Sequence, residues 1–419
     1  MFRSIKGTKD ILPDEIYKWQ FVEKILRENF HRFNYKEIRT PIFEQTSLFS
    51  RSIGESTDIV GKEMYSFLDR SQDSLTLKPE GTASVIRAFI QNNLGEAHQL
   101  TKVYYISPMF RQERPQAGRL RQFHQFGAEA IGSSNASVDA DVIALAISIY
   151  NSFKIENNIL EINSVGCPKC RPQYRTILQK ELLTVADKLS PESRQRIMHN
   201  PMRVLDSKDE SDKNATKEMP LIFNFLCSDC QNHFSDLQKY LNLFKIPFTI
   251  NNRLVRGLDY YTRTAFEISN SSLGSQDALA GGGRYDLLCE ELGGKSTPSV
   301  GFAAGIERLL MVLEKNKNID FNSEAPEIYF VSADETAREF CIKTTIDMRL
   351  NKISAECDYL NRSVKAQMRD ANRQNAKFVA VIGEREIESK SINLKQMSDG
   401  KETHVTLNSL QKFLTKHTD

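Results

Sequence analysis

The densest concentration of reactive side chains lies in residues 103–132, VYYISPMFRQERPQAGRLRQFHQFGAEAIG. Arg111, Arg114, Arg119 and Arg121 fall between two apolar, β-rich runs, with Glu113 the only carboxylate among them. Guanidinium groups crowded on one hairpin loop repel one another unless an anion joins them, and their planar forks match phosphate oxygens. A solvated basic hairpin is the plain alternative. The strand after the loop alternates with period two, so Phe123, Gln125, Gly127 and Glu129 share one face. That face sets an amide and a carboxylate beside a phosphate clamp, which suits a zwitterionic or cationic small molecule held next to a nucleotide.

Further segments carry candidate chemistry. LKPEGT (77–82) places Glu80 and Thr82 between a strand and a helix starting near Ala83. A carboxylate there either serves the helix N-terminus or binds an ammonium group. In VRGLDYYTRT (255–264), Arg256 precedes Gly257, and glycine permits close approach of backbone to a ligand. Tyr260 and Tyr261 read either as core or as ligand contacts. AGGGRYD (280–286) fails the dinucleotide-binding pattern, and its glycines are expected to let a small substrate lie flat against the backbone. GFAAGIERL (301–309) brings Arg308 to a helix start and is by itself only a packing motif. CPKC and CSDC supply Cys167, Cys170, Cys227 and Cys230 with the spacing of a structural zinc site made of four cysteines, buried free thiols being the alternative. Cys289, Cys341 and Cys357 are isolated and read as core residues.

These residues need a scaffold. Residues 13–33 predict an amphipathic helix, with Ile16, Trp19, Val22, Leu26, Phe30 and Phe33 at steps of three or four. An extended stretch from Glu37 to Phe43 follows, and Pro41 demotes it to an edge or interface strand. Another helix is expected around Asp139 to Tyr150. From Cys167 to about Lys245 the pattern turns helical, and 167–245 reads as an insertion within a domain spanning 1–320. Its run DSKDESDKNATKE (206–218) has no large apolar residue and predicts a mobile surface loop. EKNKNIDFNSEAP (314–326) reads as a linker. Residues 327–419 alternate strand and helix, which predicts a small α/β domain with a partly parallel sheet.

At 419 residues, two or three domains are expected. The 56 Lys and Arg nearly balance the 54 Asp and Glu, so nucleic-acid binding must come from local patches. No run of 18 apolar residues appears, and the first residues hold no apolar leader segment. Seven cysteines in so long a chain argue against a disulfide scaffold. A cytoplasmic protein without membrane association is expected.

Together these segments resemble the class II aminoacyl-tRNA synthetases, and among them the histidyl-tRNA synthetases. The helix with the Pro41 strand is similar to the first class II motif, FRQERPQAGRLRQFHQFGAE to the second and GFAAGIERL to the third. RGLDYY and GGGRYD resemble two stretches peculiar to the histidine enzymes. The resemblance implies an α+β catalytic domain with a mixed, mainly antiparallel sheet, a helical insertion and a C-terminal anticodon-binding domain. It implies a homodimer using L-histidine, ATP with Mg2+ and tRNA(His).

The resemblance also assigns roles. Arg111 would hold the α-phosphate, Arg119 and Arg308 the outer phosphates, with Glu113 in the same ATP site. Adenine would lie between Phe123 and Arg308. Glu80, Thr82 and Gln125 would take the ammonium group of histidine; Glu129 and Tyr261, with Tyr260 nearby, would read its imidazole. Arg256, with Arg111, would be catalytic at the carboxylate and α-phosphate. Arg114 and Gln116 would meet the tRNA acceptor end. Within residues 327–419, a helix from about Asn361 would present Arg362, Lys365, Arg369 and Arg373 to tRNA phosphates. Some members of the family lack the cysteine pairs. The alternative is the histidine-sensing regulatory subunit of ATP phosphoribosyltransferase, a paralogue that generally lacks the C-terminal domain and erodes Arg111, Arg256 and Arg308. A plain RNA-binding module leaves Glu80, Gln125 and Glu129 without a purpose.

Overall fold

The computed structural model describes residues 2–54, 57, 59–116, 118–273, 278–315, 321 and 325–416. The chain divides into two compact units, Met1–Phe321 and Asn322–Asp419.

The first unit is built on an eight-stranded sheet. Its six central strands run antiparallel in the order Thr101–Phe110, Gln122–Ile131, Ser299–Gly305, Ala278–Arg284, Thr262–Asn270 and Asn158–Ser164. The short strands Lys36–Glu37 and Thr249–Ile250 add parallel edges. The arginine hairpin therefore lies toward one side of this sheet, in register from Thr101 with Ile131 to Phe110 with Gln122.

Alternation decides what each face meets. Phe126, Ala128 and Ala130 join one core with the helices Pro13–Arg32, Ala136–Ser152, Ser228–Leu243 and Ile306–Lys315. In the first of these helices, Trp19, Val22, Leu26 and Phe30 form the buried stripe expected from their spacing. Each such side chain removed from water contributes roughly 1.5–3 kcal/mol. Phe30 stacks on Tyr104 with ring centroids 4.2 Å apart. The helix ends where Asn34 turns into the left-handed region, φ +61°. The opposite sheet face packs Val85, Ile86, Tyr105, Tyr260, Tyr261 and Tyr285 together with apolar residues of the helices between Arg171 and Leu243.

Several expectations need correction. The stretch from Glu37 to Phe43 is broken at Pro41 and lies at sheet edges as expected, but its two halves, Lys36–Glu37 and Phe43–Gln45, edge different sheets, the second a separate three-stranded one. Residues 206–218 are not a loop throughout, because Glu210–Ala215 form a helix capped by the Asp209 carboxylate. Asp212 is fully buried and accepts from Ser190 N, Ser190 Oγ, Ser193 Oγ and Ser207 Oγ at 2.6–2.8 Å. A polar segment is thus ordered by hydrogen bonds to a buried carboxylate rather than by an apolar stripe.

The second unit carries a five-stranded sheet. Ala355–Cys357, Ile328–Ser332 and Phe378–Ile382 run parallel, and Ser391–Gln396 and Glu402–Thr406 continue it antiparallel. The basic helix spans Val364–Arg373, so Arg362 precedes it rather than belonging to its stripe. Arg362 pairs instead with Asp358 and Asp370, and Arg373 pairs with Asp370. Lys365 and Arg369 are exposed and make no ion pair among the described residues.

Candidate active site

Glu80, Thr82, Arg111, Glu113, Arg119, Phe123, Gln125, Arg256, Tyr260, Tyr261 and Arg308 line one cavity of about 440 Å³. That volume is within the usual range for small-molecule sites. Residues separated by more than 200 positions reach it because the hairpin, the strand Ser299–Gly305 and the strand Ala278–Arg284 are neighbours in the sheet.

Part of the lining is acidic and aromatic. Glu80 accepts from Thr82 N at 2.7 Å and Ala83 N at 2.8 Å, so it does cap the helix Thr82–Gln91. Burial raises its pKa, against the pull of those two amides. Thr82 Oγ1 donates to Glu129 Oε1 at 2.8 Å, and the Tyr285 hydroxyl donates to Glu129 Oε2. Glu129 is fully buried beneath the lining residues rather than among them. Burial pushes its pKa to about 8, with the Tyr285 and Thr82 hydrogen bonds opposing the rise. The Gln125 Oε1 atom is buried without a partner among the described residues.

Arginines complete the lining. Arg111 donates Nε to Pro79 O at 2.9 Å, and Glu113 lies between Arg111 and Arg119, with N–O distances of 3.7 and 3.4 Å. The guanidinium over the Phe123 ring is that of Arg111, with Cζ 5.4 Å from the centroid. Arg308 donates Nη1 to Ala278 O at 2.8 Å. Arg256 forms an ion pair with Glu267. Arg114 and Gln116 stand outside the cavity, both exposed, at the hairpin tip where Gln116 and Arg119 exchange backbone hydrogen bonds at 2.9 and 3.1 Å.

The three glycines of GGGRYD do not form a flat substrate bed. Only Gly281 lines the cavity, and a Cβ there would collide with the Arg256 guanidinium. A Cβ on Gly282 would collide with Gly301 O, and one on Gly283 would collide with Thr264 O. These two glycines are needed for close packing inside the sheet.

Residues outside the sequence reading also matter. Glu267, Arg203 and Asp206 line the cavity, the last two from the helical segment between Cys167 and Lys245. Tyr285 holds Glu129. The fully buried Arg284 pairs with Asp139, which also accepts from His233 and Thr264. A carboxylate between Phe266 and Ile268 was the available signal for Glu267. Nothing local marks Arg203 or Asp206.

The four cysteines of CPKC and CSDC bring their sulfurs within 4.8 Å of one another, with Cys167 Sγ 3.6 Å from Cys170 Sγ and 3.8 Å from Cys227 Sγ. A tetrahedral zinc with Zn–S bonds of about 2.3 Å sets its sulfurs about 3.8 Å apart, so the donor set fits that metal. Cys170 and Cys227 each occupy the position before a helix, Arg171–Thr184 and Ser228–Leu243. Cys289, Cys341 and Cys357 are buried and apart from this cluster.

Comparison with known proteins agrees with this geometry. A histidyl-tRNA synthetase family model matches residues 7–170 and 175–309, and an anticodon-binding domain model matches residues 317–417. The chain is 50% identical over 409 residues to a histidine–tRNA ligase of Caldanaerobacter subterraneus subsp. tengcongensis, covering 98% of each chain. It is 48% identical over 410 residues to one from Clostridioides difficile, again covering 98% of each. The crystal structure of apo S. aureus histidyl-tRNA synthetase superimposes with a TM-score of 0.84 at 39% identity, over 99% of this chain and all of that one. With its antiparallel sheet, the cavity lined by carboxylates, tyrosines and arginines, and these matches along nearly its whole length, the chain belongs to the histidyl-tRNA synthetase family.

Proposed function

We propose that the cavity activates L-histidine with ATP and passes it to tRNA(His), with the residue roles that follow. The observation that carries this reading is the convergence, in one cavity, of carboxylates and tyrosines with Arg111, Arg119, Arg256 and Arg308. In the first step a carboxylate oxygen of histidine attacks the α-phosphorus. One O–P bond forms, the bond to the β-phosphate oxygen breaks, and pyrophosphate leaves. In the second step the terminal hydroxyl of tRNA attacks the histidyl carbonyl and AMP leaves.

Arg111 and Arg256 are the catalytic residues, countering negative charge that grows at the α-phosphate. Arg119 and Arg308 hold the outer phosphates, with Glu113 orienting Arg111 and Arg119 and Phe123 flanking adenine. ATP enters with Mg2+, which neutralises its phosphate oxygens. Glu80, Thr82 and Gln125 receive the ammonium group. Glu129, with Tyr260 and Tyr261, recognises the imidazole from below. Arg114 and Gln116, exposed at the hairpin tip, face the acceptor end of tRNA, and residues 327–419 bind the anticodon through Lys365 and Arg369 among others.

Residues 167–245 form an insertion in a catalytic domain spanning about 1–320, and Cys167, Cys170, Cys227 and Cys230 bind a structural Zn2+. Ile42, Phe43, Phe67 and Leu68 are large apolar side chains left 37–59% exposed on or beside the three-stranded sheet, and a second copy of the chain covers them in a homodimer. No helix among the described residues is long and apolar enough to cross a membrane, in keeping with a cytoplasmic location. The intact arginine set argues against a histidine-sensing regulatory subunit, which needs no triphosphate clamp.

Transfer of labelled histidine to tRNA(His) by the purified chain, ATP-dependent and absent with phenylalanine or glutamine, is the expected result. Groups built to pair both ring nitrogens reject such analogues by roughly 10⁴ or more. Equal charging with several amino acids would exclude the proposed imidazole recognition.

A further inference from the structure

The four-cysteine cluster is tied at three points to the segment that carries the tyrosines of the cavity. Val165 N donates to Arg263 O at 2.7 Å, and Arg263 N donates to Gly166 O at 2.8 Å. The residues leading into Cys167 therefore pair with the backbone two positions beyond Tyr261. Arg263 has φ +50°, a left-handed conformation that a non-glycine residue keeps only when its surroundings impose it. Arg171, adjacent to Cys170, donates Nε to Val165 O at 3.0 Å and Nη2 to the Tyr261 carbonyl. On the helix that begins after Cys227, buried His233 places Nε2 3.2 Å from Thr264 Oγ1 and 2.8 Å from Asp139 Oδ2.

Each cysteine pair thus opens a helix, and the two helices hold one short segment, Tyr260–Thr264, at Tyr261 and at Thr264. The pairs are far apart in sequence, and their thiols are not joined by disulfides. A metal ion bound by all four sulfurs would lock the two helix starts in one register. We propose that zinc at this cluster positions the histidine-binding part of the cavity: through Gly166, Arg171 and His233 it holds the kinked segment that presents Tyr260 and Tyr261. This inference rests on reading the cluster as a zinc site. Of the phosphate-binding arginines, Arg111 and Arg119 come from the arginine hairpin and Arg308 from the helix Ile306–Lys315, and Arg256 alone comes from the stretch that leads into Tyr260. Loss of zinc therefore weakens histidine binding selectively.

The test uses the full chain purified without chelator. Metal analysis should give one Zn2+ per chain, and Co2+ in its place should show thiolate-to-metal charge-transfer absorption. Cys230→Ser should lose the metal and bind histidine roughly tenfold or more weakly by calorimetry, while KM for ATP changes by no more than about twofold. Arg171→Gln should keep its zinc and show the same selective loss. Native protein without zinc would reject the metal site and the inference with it. Zinc present in the native chain and absent from Cys230→Ser, with histidine affinity unchanged, would leave the metal site standing and overturn its positioning role. If Cys230→Ser does not fold, zinc-loaded Arg171→Gln decides the matter, since unchanged histidine affinity in that variant also overturns the inference.

Discussion

The Arg256 guanidinium occupies the space that a side chain on Gly281 would need: a Cβ built there would run into Nη2 and Cζ. The ion pair with Glu267 holds the guanidinium in that place, one strand away from Gly281 across the sheet. The glycine is therefore a condition for the position of Arg256, the proposed catalytic arginine.

Gly281→Ala should force Arg256 aside and lower the single-turnover rate of adenylate formation by roughly 10²-fold, the usual penalty for misplacing a catalytic group by about 1 Å. Arg256→Ala should cost roughly 10²–10³ in the same assay, with a smaller change in histidine affinity. Because both changes act on one guanidinium, the double variant should be little worse than Arg256→Ala alone. Additive losses would show that Gly281 acts by another route.

Glu129 gives a pH signature. Its pKa rises from 4.5 to about 8 on folding, so between these values the folded protein binds a proton that the unfolded chain has lost. This contribution to stability is complete below about pH 4.5 and is lost as pH rises through 8. It is on the order of a few kcal/mol. Urea midpoints measured from pH 6 to 8 should fall more steeply for the native chain than for Glu129→Gln. Parallel curves would place the ionisation of Glu129 below this range.

The exposed apolar residues of the three-stranded sheet predict the assembly state. Phe67→Glu combined with Leu68→Glu should convert a dimer into monomers in sedimentation at micromolar concentration, because charge introduced on a buried interface is not solvated. A native chain that sediments as a monomer would refute the interface.

The two compact units should separate functionally. A chain ending at Phe321 is expected to retain histidine-dependent chemistry if it remains dimeric, and to charge tRNA poorly. In the full chain, Lys365→Glu with Arg369→Glu should weaken tRNA binding and reduce its salt slope by about one unit per lost phosphate contact. Unchanged slope would move the tRNA contact elsewhere.

Local periodicity made part of this molecule legible from sequence. Alternation in Gln122–Ile131 sorted Phe123 and Gln125 from Phe126, Ala128 and Ala130, and the stripe on Pro13–Arg32 marked its buried face. What stayed hidden depends on partners distant in the chain. Asp212 is buried by serines up to 22 positions away, so polarity alone suggested a loop. Asp358 lies before the basic helix and takes Arg362 out of its stripe. Arg203 and Asp206 reach the cavity through tertiary packing that no local spacing encodes. The glycine run was visible, but which glycine met Arg256 and which met backbone depended on the sheet register.

The most direct measurement is the exchange of labelled pyrophosphate into ATP by the purified chain without tRNA. The account predicts exchange that requires histidine, is near background with phenylalanine, and falls by roughly 10² or more in Arg256→Ala. Exchange independent of histidine, or undiminished in Arg256→Ala, would contradict the assignment of this cavity to histidine activation.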